Sequence, residues 1–108
     1  MVGVVTAAVL ELLPLTDRTG VRAAGEVCLT TRASWERALG DLVGPGDDVH
    51  LELSGVTYVD VAGASAVAAA ATRLEGGRRL VLHGTPPQLR LTLDTFWPGL
   101  TAIEVTLS

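Results

Sequence analysis

The side chains able to do chemistry in this chain are few: Asp60, Ser65, His50, His83 and Cys28. Asp60 closes an apolar run, and a carboxylate at the end of a strand is where a receiver-type domain accepts a phosphoryl group. That chemistry needs further acidic residues to hold a divalent cation and a lysine to contact the phosphoryl oxygens. The chain has no lysine, all eight of its basic residues being arginine, which also excludes Schiff-base chemistry and a Walker-type phosphate loop. Ser65, His83 and Asp60 can be drawn as a hydrolytic trio. The sequence around the serine, Gly63-Ala64-Ser65-Ala66-Val67, is not the Gly-x-Ser-x-Gly elbow that exposes an activated nucleophile. His50, His83 and Cys28 are too few and too scattered for a structural zinc site. The residues therefore point to a protein without catalytic residues, metal or cofactor.

Asp60 has a simpler role as the N-cap of a helix, where its carboxylate accepts from free amides of the first turn and opposes the helix dipole. From Val61 through Thr72 there is no charged residue, whereas a surface helix normally carries polar groups on its outer side. Ala64, Val67, Ala71 and Leu74 share the side expected to pack on a sheet. Ala62, Ser65, Ala66 and Ala69 are left facing outward, a surface on which a partner's backbone can come close. Ser65 reads there as a small residue tolerated on an alanine helix, and Cys28 as a small buried residue with no neighbour in sequence that marks it as activated.

The remaining elements follow from periodicity. Residues 2–15 supply a first strand ending near Leu13, because Pro14 lacks a ladder donor, and residues 16–20 have the composition of a hairpin loop. Val21 to Val27 is the returning strand. Thr30 or Thr31 caps a helix whose apolar side is Trp35, Ala38, Leu39, Leu42 and Val43, stopped by Gly44 and Pro45. Val49, Leu51 and Leu53 alternate with His50 and Glu52 in the central strand, which runs to about Tyr58 and feeds the Asp60 helix. Leu80 to Leu82 is a short strand apolar on both faces. Thr85 to Gln88 form a capping box before a helix with Leu89, Leu93 and Phe96 inside, and Trp97 packs in the core beside it. Ile103, Val105 and Leu107 alternate in a last strand. The order ββαβαβαβ predicts an α/β sandwich with a mixed sheet.

Composition narrows the partner. With 48% apolar residues the chain is not a disordered tail, and its net charge of −4 with a pI near 4.9 argues against nucleic acid, which needs a basic stripe. Its one cysteine rules out an internal disulfide and fits a reducing compartment. The apolar N-terminus lacks the charged start and cleavage pattern of a signal peptide and is too short to span a membrane. We read one cytoplasmic domain over residues 1–108, with residues 1–9 as an extension or linker.

Four segments resemble the STAS domains, whose type members are bacterial anti-sigma factor antagonists: Gly-Glu-Val-x-Leu-Thr-Thr at 25–31, Leu51 to Asp60, Gly63, and Arg78 to Gly84. The resemblance implies four or five strands with three or four helices mainly on one side. It also implies a partner-binding surface at the start of the second helix. In such antagonists the turn reads Asp-Ser-Ser-Gly or Asp-x-Ser/Thr-Gly, and the hydroxyl before the glycine is phosphorylated by the anti-sigma factor's kinase. Here those positions are Asp60, Val61, Ala62 and Gly63, so the acceptor hydroxyl is absent. An aspartate that the family tends to carry after its Gly-Glu-Val run is Cys28 here. The resemblance thus implies a non-enzymatic module that binds an anti-sigma factor of histidine-kinase type, or a similar regulator of transcription. Its binding residues would be Cys28, Thr30, Thr31, Asp60, Val61, Ala62, Gly63, Ser65, Ala66 and Ala69, without the phosphorylation switch. The alternative is a sensory module that holds a small ligand for a larger signalling protein.

Overall fold

The computed structural model describes residues 9–106. It holds β1 (Leu10–Pro14), β2 (Gly20–Val27), α1 (Arg32–Leu42), β3 (Val49–Val59), α2 (Val61–Arg73), β4 (Leu80–His83), α3 (Pro87–Phe96) and β5 (Ile103–Val105). These form one five-stranded sheet whose spatial order is the sequence order, β1-β2-β3-β4-β5. The first pair is antiparallel and the other three are parallel. A helix bridges each of the three parallel steps, which all run the same way along the sheet, and α2 packs on both α1 and α3, so the three helices form one layer over one face. The expected architecture is thus the observed one. The parts of the first and last strands expected at residues 2–8 and at Leu107 lie outside the described residues.

Alternation sets the two faces. Leu51, Leu53, Leu80 and Leu82 are buried in the core beneath the helices, while His50, Glu52 and His83 fall on the helix-free face. Val81 is also buried, although no helix covers its side; its register neighbours there are His50 and Glu104. Gly25, the glycine of the Gly-Glu-Val run, has φ +114, and a Cβ there would stand 2.0 Å from the Val9 carbonyl oxygen. A glycine is what lets the start of β1 close on the end of β2.

Several boundaries differ from the sequence reading. β1 runs through Pro14, which pairs with Val21; the strand is at the sheet's edge, where a missing amide costs no ladder bond. Pro86, not Thr85, is the N-cap of α3 and makes no side-chain cap bond. The capping box does not form: the Thr85 hydroxyl is buried without a partner, and Gln88 reaches back to β3, its Oε1 accepting from Val59 N at 3.4 Å. Phe96 is exposed rather than inside, whereas Trp97 packs against the core.

The alanines of α2 have a structural cause that the sequence reading understated. Buried residues on this helix are Gly63, Ala64, Val67, Ala68, Ala70 and Ala71, a wider arc than one sheet-facing stripe. α2 is the middle helix of the layer and packs on both α1 and α3. Small side chains let the neighbouring helices approach, and a charge on those sides would be buried unpaired. Ser65 and Ala69 remain exposed, and Ala62 and Ala66 are half-buried.

Candidate functional site

The C-terminal ends of β2 and β3 lie side by side, with Val27 paired to Val59, and each strand then turns into a helix. In open α/β sheets this is the end where working loops gather. The Asp60 amide donates to the Val27 carbonyl at 2.9 Å, carrying the pairing one step past the strands. The Asp60 carboxylate then accepts from the Gly63 amide at 2.7 Å, the cap expected from sequence. Asp60 is therefore a structural residue whose oxygen is engaged inside the turn.

Gly63 is the pivot. A Cβ at this position would stand 2.5 Å from Val27 Cγ1 and 2.9 Å from Val59 Cγ1, so only glycine lets α2 begin this close to both strands. Its carbonyl accepts a hydrogen bond from the indole Nε1 of Trp35 at 3.1 Å. Trp35 is fully buried, and this bond ties the first turn of α2 to α1. Sequence reasoning placed Trp35 on the inner face of α1 but gave no sign of the bond, which joins residues 28 positions apart.

The loop at 28–31 is fixed by Thr31. As N-cap of α1 it makes no side-chain bond to the helix. Its hydroxyl instead donates to the Glu26 carbonyl at 2.8 Å and accepts from the Cys28 amide at 3.0 Å, which folds the loop onto the end of β2. Cys28 is half-buried, and its sulfur lies 3.4 Å from the Thr30 hydroxyl. Hydrogen bonds from the Thr30 hydroxyl and backbone, aided by Thr31, pull the thiol below its ordinary range against the opposing effect of burial. The two threonines after it are the sequence signal for that shift.

Around this turn stand exposed apolar side chains: Leu29 at 74% exposure, Val61 at 55% and Tyr58 at 45%, with Val9 also exposed. Tyr58 and Val9 flank Glu26 by register, because Tyr58 pairs with Glu26, and the Glu26 amide donates to the Val9 carbonyl at 3.0 Å. Leu29 and Val61 follow in the two adjoining turns. Leu29, Tyr58 and Val9 were not among the residues expected from sequence. The structure thus brings Cys28, Thr30, Thr31, Asp60, Val61, Ala62 and Gly63 to one end of the sheet, with Ser65, Ala66 and Ala69 further along α2. It separates the hydrolytic trio: His83 points to the helix-free face and bonds His50 at 2.9 Å, while Ser65 is exposed on the helix layer.

Among the described residues no group of three or more His, Cys, Asp or Glu is placed to hold a metal ion, and no helix is long and apolar enough to cross a membrane. An open hollow of about 590 Å³ lies at the opposite end of the strands, lined by Asp17, Arg18, Asp48, His50 and Arg78 among others. There Arg78 donates to the backbone carbonyls of Asp47 at 2.9 Å and Gly44 at 2.6 Å.

A family model described as "Mlab, STAS domain" matches residues 8–96. Among solved structures, that of the anti-sigma factor antagonist SpoIIAA in its unphosphorylated form is similar to this chain with a TM-score of 0.66. The two are 17% identical, and the match covers 93% of this chain and 89% of that one, a likeness of fold. No curated protein sequence matches the chain significantly.

Proposed function

Because the chain belongs to the STAS domain family, we propose that it is a non-enzymatic docking module of a bacterial, cytoplasmic regulatory system. It binds an anti-sigma factor or a related histidine-kinase-like regulator. The contact surface is the Cys28 to Thr31 loop, the Asp60 to Gly63 turn and the outward strip of α2 at Ala62, Ser65, Ala66 and Ala69. The observation that carries this reading is the apolar rim of Leu29, Tyr58 and Val61 around a helix start with no charged side chain between Val61 and Thr72. Large exposed apolar groups set in a rigid surround are what a protein partner desolvates. Ala62 has no hydroxyl to phosphorylate, so association is not switched off by phosphate at that position, and control passes to the supply of the partners. A carboxylate introduced there imitates the missing charge and opposes docking by desolvation and repulsion.

The test is calorimetric titration against the histidine-kinase-like anti-sigma factors of the source organism. Ala62→Glu and Leu29→Ala should each weaken binding by about tenfold or more, equivalent to about 1.4 kcal/mol, with unchanged thermal melts showing that both variants are folded. Undiminished binding by both variants, or no binding by the parent chain, removes the reading. The small-ligand alternative is favoured by the polar hollow at the other end of the strands. A nucleotide or metabolite held there would raise the melting temperature of the parent chain, and Arg18→Ala would abolish that rise.

A further inference from the structure

His50 on β3 and His83 at the end of β4 meet on the helix-free face. Their Nδ1 and Nε2 atoms are 2.9 Å apart, and the ring centroids are 5.2 Å apart with planes 18° from parallel. With a nitrogen–nitrogen distance so much shorter than the centroid separation, the rings meet edge to edge, and one proton occupies the line between them. The line continues to Thr106, the residue after β5: its hydroxyl lies 3.4 Å from His83 Nδ1 and donates to the Leu82 carbonyl at 3.3 Å. A hydroxyl donating to that carbonyl presents a lone pair to the imidazole, so His83 carries its proton on Nδ1 and offers a bare Nε2 to His50 Nδ1–H.

We propose that this pair is an acid-sensitive clasp holding β4 and the β5 edge to the body of the sheet. A first proton from solvent adds to His50 Nε2, outside the clasp, and leaves a single proton on the line between the rings. A second can enter only on that line. Two N–H groups then face each other across 2.9 Å with like charges, and the rings part.

The surrounding charges come from every neighbouring element. Asp17 and Arg18 approach from the β1–β2 loop, Asp48 from the turn before β3, Arg22 from β2 and Glu52 from β3 beside His83. On the far side the Arg79–Glu104 pair bridges the start of β4 and β5 at 3.7 Å. Burial, then the charge of Arg18, then His83 hold His50 below its ordinary value of 6.5, with Asp48 and Asp17 opposing. A folded-state value below the unfolded one makes the stability from this group fully present above 6.5. It is lost as pH falls through the lowered value.

The experiment is amide hydrogen exchange by NMR on the whole chain between about pH 7.5 and about pH 5, the range in which imidazoles titrate. It reads the amides of Leu80 and Thr106, which donate across the β4–β5 pairing to Ala102 and Leu82. Their protection factors should fall by about tenfold more in the parent than in His83→Gln, whose amide oxygen accepts from His50 but takes no proton. Equal acid dependence in the two proteins, or none in the parent, overturns the clasp. Imidazole nitrogen shifts of the parent at neutral pH provide a reading that needs no variant. Both rings should carry hydrogen on Nδ1, and a proton on His83 Nε2 overturns the assignment.

Discussion

The two ends of this sheet are built on opposite plans. At the C-terminal ends of β2 and β3, two strand-to-helix turns are fixed by the Asp60 cap, the Thr31 bonds and the indole of Trp35 on the Gly63 carbonyl, and the surface they carry is apolar. At the other end, the loops at 16–19, 44–48 and 75–79 surround an open, charged hollow. None of the large exposed apolar residues of the described chain lies on those loops. The exposed Leu29, Tyr58 and Val61 adjoin the hydrogen-bonded turns at one end, whereas charged loops and open space lie at the other, where Leu13 of β1 is also exposed. A surface that must match a macromolecular partner has its ordering cost met in advance, whereas solvated loops leave theirs to be met on binding.

This contrast can be broken most severely at Trp35. Trp35→Ala removes the largest fully buried side chain and the tie to Gly63 together, and should cost about 3–5 kcal/mol in urea denaturation. Trp35→Phe keeps most of the volume and should cost about 1–2 kcal/mol, the value of the lost indole bond and an unpaired carbonyl.

Substituting glycines at the two ends should give opposite signs. Gly63→Ala forces a Cβ into Val27 and Val59 and should cost about 1–3 kcal/mol. On the α1 surface away from that turn, a methyl group added at Gly40 would meet nothing within 4 Å, and Gly40→Ala should stabilise by about 0.5–1 kcal/mol. Similar losses from both would show that the close approach at Gly63 carries no special weight. The smallest loss is expected at the cap: Asp60→Ala should cost about 1 kcal/mol, since the Asp60 backbone still bonds Val27 and Ala64. A greater loss would mean that the carboxylate does more than cap.

Much of this was legible in the sequence, because the apolar spacing of each element survives folding. The Leu51/Leu53 alternation gave the central strand and the Asp60 cap gave the helix start. What escaped detection depended on pairing between distant segments. The His50–His83 bond requires the β3–β4 register, and the rim of Val9, Leu29 and Tyr58 requires knowing which strand ends are adjacent. Thr85 matched a capping pattern, yet Pro86 took the position and Gln88 bonded to another strand, a case of tertiary contacts overriding a local rule. The alanines of α2 were half understood: they do leave a neutral outer strip, but α1 and α3 account for most of them.

The spatial order of the strands has a consequence for assembly on the ribosome. Each strand after the first adds beside its immediate predecessor, so no early strand waits for a late one to fill a gap between them. By the time Arg73 has been synthesised, β1 to β3, α1 and α2 are all present, with the Trp35–Gly63 tie and the apolar rim among them. The nascent chain can therefore finish the end that carries this rim while β4, α3 and β5 are still to be made.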